Sequence, residues 1–123
     1  MYGVEVERSA RIIILNIGAE LSVEEALRLQ HSKNAAVESL GPPHKDHATL
    51  MDVSRLRVQP QAIIQEFVDY SLKTRLPSKK VAILVGEGSS KMQFRRIIQK
   101  EGLRADMQLF TDRVEALNWL RAA

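Results

Sequence analysis

Two short apolar runs decide most of what this chain can become. Ala48-Thr-Leu-Met-Asp-Val-Ser54 and Val81-Ala-Ile-Leu-Val-Gly86 each close on polar or glycine residues, and each feeds a segment with helical spacing. Runs apolar on consecutive positions read as strands covered on both faces. Two strands separated by a helix-length segment need a crossover connection, and that places them parallel.

The rest of the chain fits around this pair. Gly3-Val-Glu-Val-Glu7 and Arg11-Ile-Ile-Ile-Leu-Asn-Ile17 are strand-like, and the few residues between them are short enough for a hairpin, although an Asn-Gly turn signal is missing. Ser22-Val-Glu-Glu25 is a capping box, which predicts a helix from about Val23 to Leu40 with Val23, Ala26, Leu27, Val37 and Leu40 on its apolar face, interrupted from Gln30 to Asn34. Gly41-Pro-Pro-His-Lys-Asp-His47 ends that helix. Pro60 suits the first turn of a second helix carrying Ile63, Ile64, Phe67, Val68 and Leu72, which Pro77 closes. Ser89 or Ser90 can cap a third helix, with Phe94, Ile97 and Ile98 inward and Gly102 as its stop. Met107-Gln-Leu-Phe110 reads as a fifth strand. Asp112-Arg-Val-Glu115 opens a last helix with Val114, Ala116, Leu117 and Leu120 inward, and Trp119 covers the edge of the core. The predicted order is β-β-α-β-α-β-α-β-α, a mixed five-stranded sheet with four helices in an α/β domain.

A chain of 123 residues is expected to form one domain, 1–123. At that size folding buries roughly two-thirds of the unfolded surface, so neither a disulfide nor a metal is needed. The absence of cysteine removes disulfides, thiolate catalysis and cysteine-type zinc sites. No apolar run approaches the roughly 20 residues that cross a bilayer, and the first 21 residues lack the continuous apolar stretch of a signal peptide. A soluble, cytoplasmic protein is the expectation. Charge is uneven: residues 1–46 carry five Lys or Arg against seven Asp or Glu, and residues 47–123 carry thirteen against eight. The basic residues between Lys73 and Arg104 form a stripe able to steer an anionic partner; its plain role is a solvated face.

With that order in place, the sequence resembles the SpoIIAA-like, or STAS-like, superfamily, especially bacterial STAS/SEC14-like domains. The resemblance rests on the N-terminal hairpin, Leu50-Met-Asp-Val-Ser-Arg-Leu56, Lys80-Val-Ala-Ile-Leu-Val85 and the ending Leu109-Phe-Thr-Asp-Arg-Val-Glu-Ala-Leu-Asn-Trp-Leu120. It implies a SpoIIAA-like fold and a regulatory or binding role. In anti-sigma-factor antagonists of the superfamily a serine is phosphorylated at the start of the helix after the third strand. Here that region reads Arg57-Val-Gln-Pro-Gln-Ala62, with no serine or threonine, so the phosphoswitch is not carried over. The SEC14-like label suggests an alternative, association with lipids or an anionic membrane through the basic stripe.

Ligands of open α/β sheets bind beside the carboxyl ends of the strands. Asp52 and Ser54 occupy that position after the third strand: Asp52 suits a ligand hydroxyl, Ser54 an anion, and the plain role of Asp52 is to accept amides of the following turn. Gln59 and Gln61, at the expected helix start, can both donate and accept. In Gly86-Glu-Gly-Ser-Ser-Lys91, the glycines Gly86 and Gly88 permit close approach, Ser89 and Ser90 stand at a helix start, and Lys91 and Arg95 add charge. The loop is neither a GxxxxGK[ST] nor a GxGxxG motif, so its plain reading is a capped turn. His44, Asp46 and His47, with His31, lack a framework to converge on a metal and read as a solvated loop. The serines show no nucleophile elbow, and exposed aromatics for stacking on nucleic acid are scarce. The expectation is a non-enzymatic module without cofactor or metal, engaging a protein or a small anionic or amphipathic ligand, with peripheral membrane contact and homodimerisation as further modes and nucleic acid disfavoured.

Overall fold

The computed structural model describes residues 2–57, 63, 78–86, 92–93, 95–96 and 106–122. Within them lie β1 (Tyr2–Glu7), β2 (Ile12–Ile17), α1 (Val23–Ser39), β3 (Ala48–Asp52), β4 (Lys80–Leu84), β5 (Met107–Phe110) and α2 (Arg113–Arg121). The strands form one sheet in the order β1-β2-β3-β4-β5. β1 and β2 are antiparallel; every later pair is parallel, as the crossover argument requires. The second and third helices expected from the sequence lie outside the described residues. Within their spans Ile63, Met92, Gln93, Arg95 and Arg96 are helical.

Side chains alternate across the sheet and divide the core in two. Ile13, Leu15, Ile17, Val81, Ile83 and Val85 meet α1 and Ile63 on one face. Ile12, Ile14, Ala48, Leu50, Ala82 and Leu84 meet α2 on the other. Fully burying one such side chain contributes about 1.5–3 kcal/mol. The doubly covered strands explain why their apolar residues are consecutive.

The caps behave as their spacing predicts. Ser22 Oγ accepts from Glu25 N at 3.0 Å, and Glu25 Oε1 accepts from Ser22 N at 3.3 Å. Asp112 Oδ1 accepts from Val114 N and Glu115 N at 2.8 and 3.2 Å. Two helix faces differ from expectation. In α1 the buried residues are Ala26, Leu29, Lys33 and Val37, whereas Leu27 is 44% exposed. Leu29, Lys33 and Val37 recur at four-residue spacing, so the lysine that interrupts the apolar pattern belongs to the inward stripe. In α2, Val114 is 66% exposed; it stands in the first turn, and Ala116 and Leu120 carry the inward face.

α2 is fastened at both ends. Arg113 Nη1 lies 3.1 Å from Asp52 Oδ2, and Arg121 Nη2 lies 2.8 and 3.0 Å from the two oxygens of Glu7. Lys80 Nζ donates to the carbonyls of Trp119 and Ala122, satisfying the helix C-terminus, and sits 5.0 Å from the Trp119 ring. Trp119 packs on Phe110 with ring centroids 5.5 Å apart, at the core edge as expected. Two described members of the basic stripe therefore serve the fold: Lys80 caps α2, and Lys79 pairs with Asp46 at 2.9 Å, holding that carboxyl below the usual aspartate range through its hydrogen bond and charge.

Candidate functional site

The parallel register sets out the carboxyl-end rim. Gly3 pairs with Asn16, Asn16 with Asp52, Asp52 with Leu84 and Leu84 with Phe110, so these five residues form one row across the sheet and share a face. α2 packs over β3 and β4 on that face. Beside it, over the β1–β2 end of the row, lies a cleft of about 720 Å³ lined by Tyr2, Gly3, Glu5, Asn16, Asp52 and Arg55, with the 17–20 loop along one side.

Asp52 follows its plain reading and adds a tie. Its Oδ1 accepts from Ser54 N at 3.0 Å and from Ser54 Oγ at 2.6 Å, which closes the turn after β3. Its Oδ2 faces Arg113, and the side chain is only 17% exposed. Both oxygens are engaged, which orients the group and withdraws it from acid–base work. The Ser54 hydroxyl, expected to serve an anion, donates its proton to Asp52 instead.

Gly86 stands against this turn. A Cβ built on it would lie 2.5 Å from the Ser54 carbonyl oxygen, so the backbones of the β3 and β4 ends approach more closely than any side chain permits. The segments around 52–54 and 86 thus meet along one rim, as the β-α reading requires. Gly86→Ala is expected to cost about 1–3 kcal/mol, because the obstacle is backbone. Urea denaturation checks this; an unchanged midpoint would mean that the two strand ends part freely.

Of the other expected site residues, Arg95 is helical and exposed. Gln59, Gln61, Gly88, Ser89, Ser90 and Lys91 lie outside the described residues.

Sequence reading overlooked Gly3, Glu5, Asn16, Arg55 and Arg113. Asn16 did carry a signal: it is the one polar residue inside the apolar run Ile12–Ile17. Glu5, Asn16 and Arg55 make no side-chain hydrogen bond or ion pair among the described residues. By contrast Arg11, Arg28, Arg57, Arg113 and Arg121 all have partners. The cleft therefore gathers polar groups that the fold does not use.

The 44–47 segment corrects another expectation. His47 is fully buried, not solvated. Its Nδ1 lies 2.6 Å from the His44 carbonyl and its Nε2 2.9 Å from Ser78 Oγ, which lies 2.6 Å from Thr49 Oγ1. A carbonyl has no proton to give, so Nδ1 donates to it, and Nε2 and the Ser78 hydroxyl share the second hydrogen bond. The pair has the outline of a serine–histidine dyad, but Ser78 and Thr49 are buried as well, at the end of the strands opposite the cleft. Its evident work is to satisfy buried polar atoms. Among the described residues no cluster of three or more His, Asp or Glu could hold a metal ion, and no helix is long and apolar enough to cross a membrane.

No family model matches the sequence, and no curated protein matches it. Among solved structures, the crystal structure of an uncharacterized protein of the DUF3478 family from Shewanella loihica PV-4, with a SpoIIAA-like fold, is similar to this chain. Its TM-score is 0.69 at 20% identity, covering 98% of this chain and 92% of that one. The α/β chain thus has a SpoIIAA-like fold with a mixed five-stranded sheet, as the sequence resemblance implies.

Proposed function

We propose that this SpoIIAA-like domain is a non-enzymatic binding module that engages its partner at the carboxyl-end rim, through the cleft between β1 and the Asp52 turn. One observation carries the reading: Glu5, Asn16 and Arg55 surround a cleft of about 720 Å³ and are spent on nothing else among the described residues. Asn16 is half-buried and Glu5 and Arg55 are exposed, so three polar side chains unpaired among the described residues stand around one concavity, the arrangement that a binding site presents to an external partner.

The nearby acidic group does not suit catalysis. Asp52 is the most buried carboxylate of the cleft, and its two oxygens hold Ser54 and Arg113. Charge also favours one class of partner over the others named from the sequence. Asp52 and Glu20 are paired with Arg113 and Arg57, which leaves Glu5 and Arg55, among the described residues, as uncommitted charges of opposite sign on the walls; that mixed character suits a protein surface better than a small anion or an anionic lipid headgroup.

Backbone amide shifts of the labelled protein test the proposal. Titration with inorganic phosphate, nucleotides, fatty acids and short peptides is expected to move the amides of 16–20 and 52–55 with peptides only. Movement confined to other surfaces, or none with any class, overturns the reading.

A further inference from the structure

β1 is an edge strand: among the described residues it pairs with β2 alone, so one side of its backbone is left for another chain. Its outward column on the cleft face is Gly3, Glu5 and Glu7. Glu7 is tied to Arg121, Glu5 is exposed and unpaired, and nothing lies within 4 Å of the position a Gly3 Cβ would take. The edge thus has a notch at Gly3 that opens across the strand into the cleft, with a carboxylate beside it.

We propose that β1 docks an extended, lysine- or arginine-bearing segment of a protein partner as a sixth strand, one basic side chain crossing Gly3 into the cleft toward Glu5. The inference deepens the binding-module reading and rests on it. Strand addition takes its affinity from main-chain hydrogen bonds and its specificity from alternate side chains. Here the alternate positions facing the cleft meet a gap and a carboxylate, whereas Val4 and Val6 turn to the α1 face of the core. A long flexible cation fits both features. A second copy of this chain fits them badly, because pairing β1 with itself would crowd Glu5 and Glu7 of both chains along the new seam.

Selection from a displayed library of random dodecapeptides against the full chain tests the inference. Enriched peptides are expected to alternate Lys or Arg with β-branched residues and to shift the amides of residues 2–7. Glu5→Lys should weaken them about tenfold at low salt, and added salt should weaken them on the native protein. Gly3→Phe should abolish binding while leaving the melting temperature unchanged or higher, since the new ring enters open space on a strand. Peptides that bind the rim at 52–55 without touching residues 2–7 would sink the edge proposal and spare the binding-module reading. Enrichment of acidic peptides, full binding to Gly3→Phe, or dimers formed through β1 would likewise overturn it. A library that yields no binder at either place would overturn both.

Discussion

His47→Ala is expected to cost about 3–4 kcal/mol, the largest effect of any single change considered for this domain. The substitution empties the space of a fully buried ring. It also strips the His44 carbonyl and Ser78 Oγ of a partner at once. The two losses add because they arise from different atoms: one is missing packing, the other desolvated polar groups. A compensated variant separates them. His47→Leu with Ser78→Ala and Thr49→Val also removes the Ser78 and Thr49 hydroxyls, leaving the His44 carbonyl without its donor, and it should recover part of the loss, since removing both partners of a hydrogen bond is cheaper than orphaning one. Urea denaturation of the single and triple variants is the measurement. A single variant losing less than about 0.5 kcal/mol, within the range of ordinary surface changes, would show that the histidine is not a support of the core.

Arg11→Ala is expected to cost about 2–3 kcal/mol. The guanidinium donates to four carbonyls: Leu40 at 2.9 Å, Gly41 at 2.9 Å, Pro43 at 2.9 Å and Asp46. Two of these end α1, where carbonyls have no intrahelical donor and the helix has no basic residue of its own in the last turn. The other two shape the loop that delivers His44 and His47. Arg11 also ends the turn between β1 and β2 with a φ of 53°, a left-handed conformation that disfavours a side chain. Arg11→Gly removes that strain while losing the same hydrogen bonds, so it should fall short of the native protein by about 1 kcal/mol less than Arg11→Ala does. Arg11→Lys keeps the charge but not the fork, and should recover little. Hydrogen exchange in the 41–47 loop should accelerate in all three variants. Equal stability of the alanine and native proteins would remove this role.

Much of the scaffold was legible in the sequence, and particular residues show why. Consecutive apolar positions at Ile12–Leu15 and Val81–Val85 imply burial on both faces, and the strands there match. Ser22 with Glu25 marks the start of α1, and Asp112 that of α2, because capping joins residues two or three apart. Helix faces were less legible. Leu27 reads as inward and points to solvent, while Lys33 reads as an interruption and is buried, since hydrophobicity alone does not say which side of a helix meets the sheet. The cleft was read only in part. Strand-end logic found Asp52 on its wall, with Ser54 and Gly86 beside it on the rim, and missed Gly3 and Glu5, which reach the same rim only because β1 runs antiparallel to β2.

Sequence by itself determined the α/β class, the hairpin followed by parallel strands, both described helix starts and the rim on which Asp52 and Gly86 stand. All of these follow from periodicity and from contacts a few residues long. Tertiary structure alone decided the rest, because the partners concerned are far apart in the chain: His47 and Ser78 by 31 residues, Asp52 and Arg113 by 61, Glu7 and Arg121 by 114. Whether a histidine is buried, or an aspartate already spoken for, depends on which distant strand or helix folds against it, and no local spacing carries that information.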